Sequence, residues 1–187
     1  GHAGSLDPFA EGVLMLCIGK YTKSVESFMD KEKEYIATIQ LGSETDTLDI
    51  TGDIVHKADV PCLTKNIICN TLKKFTGEIM QEPPMYSALK VNGQRLYKLA
   101  RKGISIPREK RAIYIYKIEL LNYNNNFIKV KIICGRGTYI RSLAKDIANK
   151  LNTVGFLKSL KRTRIGEYAE LDCVKINEFD KWISVQN

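Results

Sequence analysis

Apolar and polar residues alternate with a period of two in three stretches of the chain, residues 35–41, 111–123 and 127–134. Such alternation, with β-branched residues at many of the apolar positions, predicts half-buried strands. Asn124, Asn125 and Asn126 join the last two stretches, and asparagine is a turn former, so a long hairpin is expected. Three further stretches carry helical spacing: 64–75, closed by Gly77; 96–102, closed by Gly103; and 140–151. Glycine just beyond the last periodic residue is a helix stop signal. In the third stretch Ile140, Leu143, Ala144, Ile147, Ala148 and Leu151 form one apolar stripe, the mark of a helix laid on a core. Hairpin strands mixed with irregularly placed helices predict an α+β domain on a largely antiparallel sheet, not a doubly wound one. No repeat and no Pro/Gly/Ser-rich linker divides the 187 residues, so one domain is expected. The long connections 42–52 and 81–86 are candidate functional loops.

Composition narrows the class. The chain is 44% hydrophobic and 27% charged, which supplies a core and excludes wholesale disorder or a collagenous chain. The apolar run 13–18 is far shorter than the roughly 20 residues of a membrane-spanning helix, so no membrane partner is expected. Five cysteines without a C-x-x-C pair and two histidines support neither a disulfide framework nor a zinc site. Buried free thiols in a reducing, cytoplasmic compartment are expected. The net charge is +8, and it is unevenly placed: residues 90–164 hold 19 Lys and Arg against Glu109, Glu119 and Asp146. With Tyr97, Tyr114, Tyr116, Tyr123, Phe127, Tyr139 and Phe156 interleaved, that asymmetry points to a nucleic-acid backbone as partner. Outward lysines kept only for solubility would give the same count.

Common catalytic signatures are missing. The spacing from Gly12 to Gly19 and Lys20 is too long for a P-loop, and Gly135-Arg136-Gly137 lacks the third glycine of a dinucleotide loop. Glu44, Asp46, Asp49 and Asp53 lack EF-hand spacing and read better as a hydrogen-bonded turn. Asp7 lies in a glycine-punctuated loop and precedes Pro8. That pattern predicts a helix N-cap with proline at the first helical position. A loop carboxylate beside small residues is also how a nucleophilic aspartate is presented to a substrate. Arg141 falls in the first turn of the clearest helix, with Lys145 four residues on. A cation there opposes the helix dipole, so an acidic partner from elsewhere in the fold is expected, with solvent exposure as the alternative. Tyr35 reads as a strand core residue or as a platform for stacking on a base.

Five blocks in order resemble the TruB family of tRNA pseudouridine synthases: residues 1–8 (GHAGSLDP), Lys33-Glu34-Tyr35, the Thr45-Asp46-Thr47 loop with Asp49 and Gly52, residues 84–90 (PMYSALK), and Gly137-Thr138-Tyr139-Ile140-Arg141. The acidic Thr-Asp-Thr loop resembles the bacterial stand-alone type. The resemblance implies the pseudouridine synthase catalytic fold and isomerisation of the T-loop uridine of tRNA, position 55, without metal or organic cofactor. It implies Asp7 as nucleophile, Tyr35 as the residue stacked on the base, and Arg141 as partner of the catalytic carboxylate. Tyr139 and Leu160 would line the substrate pocket, while His2 would contact the RNA loop and Lys23 lie near the site. The expected partner is the T-arm of tRNA, bound by a monomer. Compared with the family, the chain is expected to lack a segment before the Gly-His motif and a small C-terminal RNA-binding domain. A T-loop-binding remnant without turnover is the alternative, and a basic DNA-binding domain has only charge behind it.

Overall fold

The computed structural model describes residues 1–91 and 93–185. Its strands are β1 (Glu11–Gly12), β2 (Lys33–Leu41), β3 (Ser43–Thr45), β4 (Ile54–Lys57), β5 (Gly77–Gln81), β6 (Lys90–Val91), β7 (Gln94–Arg95), β8 (Arg111–Tyr123), β9 (Phe127–Cys134), β10 (Gly155–Ile165) and β11 (Tyr168–Ala169). The α-helices are α1 (Val25–Asp30), α2 (Lys65–Lys73), α3 (Leu96–Ala100), α4 (Ile140–Lys150) and α5 (Phe179–Val185).

A seven-stranded sheet runs β1-β10-β2-β9-β8-β5, with β11 paired to β10. Its pairs are antiparallel except β1 with β10, so the α+β expectation holds. β8 and β9 form the long hairpin with the predicted bounds, and Asn124 Oδ1 accepts from the backbone N–H of Asn126 and Phe127 in the connecting turn.

One sheet face carries the core. Tyr35, Ala37, Ile39 and Leu41 of β2 and Ile128, Val130, Ile132 and Cys134 of β9 are buried at every second position. Helix α4 covers β10 and β2 with the predicted stripe, and α2 covers β8. Thr64 caps α2 by accepting from Ile67 N. Gly155 marks the closest approach of α4 to the sheet: a Cβ there would meet the Ala148 methyl at 2.7 Å.

Two expectations are corrected, and one strand is not anticipated. Asp7 caps no helix: the chain makes a single turn, with Ala10 N donating to Asp7 O at 2.9 Å, because Pro8 suits a turn as well as it suits a first helical position. The thiols are not uniformly buried: Cys17 and Cys134 are, whereas Cys62 and Cys173 are exposed, since they lie outside the sheet and its covering helices. The eleven-residue strand β10 carries no period-two signal. Bulges between Leu157 and Ser159 and between Arg162 and Arg164 turn Leu157, Leu160, Arg162 and Ile165 inward at uneven spacing.

Candidate active site

Asp7 and Arg141 are far apart in sequence and meet in space. Arg141 Nε donates to Asp7 Oδ2 at 2.9 Å and Nη2 to Oδ1 at 2.8 Å, a two-pronged pair that fixes both position and plane of the carboxylate. The partners are unequally covered: the Arg141 side chain is 5% exposed and that of Asp7 is 29% exposed. The guanidinium is thus a fixture of the fold, and the carboxylate faces an opening. Arg141 also donates to the carbonyls of Thr47 (3.0 Å) and Tyr86 (2.7 Å), and Asp49 Oδ2 stands 3.6 Å from its Nη1. Both loops singled out as interruptions of the pattern, 42–52 and 81–86, therefore converge on this one side chain. Lys145, the like charge one turn on, is neutralised by Glu44 at 2.7 Å.

The acidic turn is internally bonded, as its spacing suggested. Asp49 accepts from Thr47 Oγ1 (2.8 Å), Thr51 N (2.9 Å) and Thr51 Oγ1 (2.5 Å), and Asp46 accepts from Asp53 N at 3.0 Å. These bonds hold the Thr47 carbonyl against Arg141. On the other side, Gln81 brackets the residue before α4: its Nε2 donates to Tyr139 O (3.1 Å), and its Oε1 accepts from Tyr139 N (2.8 Å). With one residue gripped this way, the start of α4 is set against β5.

A cleft of about 600 Å³ opens over the pair. Asp7, Tyr35, Tyr139, Arg141 and Leu160 all line it, so five of the seven candidate residues are brought together. His2 and Lys23 are not among its lining. His2 makes a backbone bridge to Leu16, and Lys23 sits on an exposed 3₁₀ turn, Gly19–Ser24. Burial, opposed by neighbouring Arg162, pushes the Tyr35 phenol up to about 12, so at neutral pH Tyr35 presents a neutral ring. Burial raises the Tyr139 phenol as well.

Sequence reasoning did not single out Asp49, Gln81, Tyr86, Arg101 or Arg162 as site residues. Asp49 and Tyr86 stand in blocks that carry the resemblance, a signal that was available. Arg101 lies over the Tyr97 ring at 5.4 Å, and both line the cleft. A second cleft of about 620 Å³ lies between α4, β5 and the 82–84 segment. Its Arg108 and Lys145 are already paired with Glu82 and Glu44, and no carboxylate in it is held as Asp7 is.

Residues 1–140 match the sequence model of the TruB family pseudouridylate synthase N-terminal domain. The chain belongs to this family. It is 49% identical over 187 residues to tRNA pseudouridine synthase B of Francisella philomiragia, a match covering 97% of this chain and 62% of that protein. It is 43% identical to the same enzyme of Phocaeicola vulgatus, over 100% of this chain and 79% of that one. For Hydrogenovibrio crunogenus the values are 45%, 95% and 60%. The chain therefore spans about three fifths of the length of the first and third of these relatives. Among solved structures, the pseudouridine synthase fold recurs in a Cbf5-Nop10-Gar1 complex, with a TM-score of 0.73, 26% identity and coverage of 100% of this chain and 48% of that one. An H/ACA RNP bound to a substrate RNA containing 2'-deoxyuridine gives 0.69, 25%, 100% and 46%.

Proposed function

We propose that this TruB-family chain isomerises a uridine in the T-loop of tRNA, position 55, to its C5-glycoside. The observation that carries this reading is the Asp7–Arg141 pair, in which a buried guanidinium holds a cleft-facing carboxylate by both oxygens. A carboxylate held by both oxygens is presented in one position and one plane, as a nucleophile must be. Asp7 acts at the ribose, by attack at C1′ or by assisting glycal formation. The N1–C1′ bond breaks, the base turns within the cleft, and a C5–C1′ bond forms; C5 gives up a proton and N1 gains one. Atoms and electrons balance without an external reagent.

The reacting base must leave its stack to enter the cleft, at a cost of a few kcal/mol. The neutral ring of Tyr35 offers it a stacking face, and base–aromatic stacking returns about 1–3 kcal/mol. Phosphate contacts supply the rest of the grip. The 19 basic residues of 90–164 are not equally free to make them. Arg141 and Arg162 are buried, and Arg108, Lys131, Arg136, Lys161 and Arg164 are paired with carboxylates. Lys90, Arg95, Lys98, Arg101 and Lys102, on β6, β7, α3 and the turn after it, are exposed with no acidic residue between 87 and 108. This segment reaches the cleft through Tyr97 and Arg101, and we assign it the backbone of the T-arm. His2 and Lys23 are assigned RNA contacts outside the cleft, and the working unit is a monomer in the cytoplasm.

The reading is tested by incubating the chain with an unmodified tRNA transcript and mapping pseudouridine by carbodiimide adduct formation and primer extension. A stop at the T-loop uridine supports it. Tight binding without any stop would leave the chain a T-loop-binding protein without turnover.

A further inference from the structure

Two arginines are buried in this molecule, and only one is explained by the Asp7 pair. Arg162 is 1% exposed, brought inward together with Leu160 by the bulge between Leu157 and Ser159 on β10. Its Nε donates to Val13 O at 2.7 Å and its Nη2 to Gly4 O at 3.0 Å. Tyr35 is its direct cross-strand partner on β2, and both side chains are buried. No carboxylate pairs with it among the described residues, and its other charged neighbour is a second cation, Lys33, whose amine burial and Arg162 together push down. A buried cation that meets only neutral acceptors is costly to keep. Packing alone would be served as well by a methionine of similar reach. The groups beside Arg162 are instructive: Gly4 lies three residues before Asp7, and Tyr35 lies in the cleft with Asp7. Gly4 has φ +94°, a backbone form that L side chains rarely adopt. Val13 N in turn donates to Arg162 O at 2.8 Å, and β1 pairs with β10 next to it.

We propose that Arg162 is a positioning residue of the site. One rigid guanidinium, bonded to the Gly4 and Val13 carbonyls on either side of Asp7 and standing opposite Tyr35 on the neighbouring strand, keeps the nucleophile and the stacking ring in one relative geometry. The kinetic consequence rests on the isomerase reading above, whereas the linkage itself does not. A planar fork with five N–H donors is suited to hold two separate carbonyls at once while lying against the ring of its neighbour.

The test compares Arg162→Met and Arg162→Lys with the unaltered chain by two readouts. In steady-state turnover of a tRNA transcript, Arg162→Met lowers kcat about 100-fold with KM within about threefold, the pattern expected when reacting groups are misaligned rather than binding lost. Arg162→Lys recovers about tenfold of that loss, since an ammonium reaches some of the acceptors but lacks the fork. In the second readout the tyrosines carry ¹³C at Cζ, and the Tyr35 resonance, assigned by its loss in Tyr35→Phe, moves further than any other tyrosine in both Arg162 variants. If the Met variant does not fold, the Lys variant decides alone by the same two readouts. An unmoved Tyr35 resonance in a folded variant, or kcat unchanged in Arg162→Met, overturns the proposal. If the unaltered chain shows no turnover, the isomerase reading fails while the resonance still decides the role of Arg162.

Discussion

Arg141 is the residue on which the site turns, and its environment explains why. A cation in the first turn of α4 opposes the helix dipole, and the fold answers with Asp7, with the Thr47 and Tyr86 carbonyls, and with Asp49 at longer range. Replacing Asp7 with Asn keeps the shape and removes the charge; turnover is expected to fall by a factor of at least about 10³, with RNA affinity changed by less than about fivefold, because uncharged amide oxygen is a poor nucleophile. Filter binding and single-turnover kinetics on the same preparation check both halves. Tyr35 supplies a second prediction. Burial raises its phenol from 10.0 to about 12, so the unfolded chain ionises first as pH rises. The stability that the neutral phenol contributes is complete below pH 10 and is lost as pH rises through about 12. Urea unfolding at pH ~9 and ~11.5 is expected to show the native chain losing about 2 kcal/mol more than Tyr35→Phe between the two. Parallel losses would refute that assignment. The dipole argument points to an acidic partner for Arg141 but leaves solvent exposure open, and the family resemblance points to the catalytic carboxylate. Asp7 was misread as a helix cap because Asp-Pro opens turns and helices alike, and only the tertiary fold, by putting Arg141 in reach, decides where its carboxylate goes.

At the scale of elements, α4 and β10 carry the site between them. The apolar stripe of α4 was legible because its 3.6 period is regular, and the β8–β9 hairpin because both strands alternate. β10 was not, because two bulges break its alternation and a charged residue, Arg162, occupies an inward position. The first bulge serves the site: without it Leu160 and Arg162 could not face inward after Leu157. Leu157, fully buried beneath α4, should cost about 2–5 kcal/mol on replacement by Ala, measured by chemical denaturation, while exposed Lys158→Ala should cost less than about 0.5 kcal/mol. The turn around Asp49 is held by bonds of its own. Asp49→Ala strips Thr47 and Thr51 of their acceptor and should lower stability by about 1–3 kcal/mol. It should lower turnover as well, through the loosened Thr47 carbonyl.

Across the whole molecule, charge is sorted rather than spread. The +8 total and the excess in 90–164 point to a nucleic-acid partner, yet the count does not say which cations are free. The fold spends several on carboxylates donated by residues outside that segment, including Glu26, Asp30, Glu32 and Glu34. Among the described residues it leaves a cationic stretch without ion pairs on β6, β7 and α3 beside the cleft. Replacing Lys98, Arg101 and Lys102 together with Ala is expected to weaken RNA binding and to reduce the slope of log affinity against log salt by about 2–3, near 0.7–0.9 per lost phosphate contact. An unchanged slope would place the RNA elsewhere. No helix among the described residues is long and apolar enough to cross a membrane, and the family relationship together with the Asp7–Arg141 geometry makes uridine isomerisation the account to test. The most direct measurement is tritium release from [5-³H]uridine-labelled tRNA transcript, run with the unaltered chain, with Asp7→Asn, and with a transcript whose T-loop target uridine is replaced. The account predicts release that requires both Asp7 and that uridine. Release that survives Asp7→Asn, or none at all from a chain that binds the transcript, would contradict it.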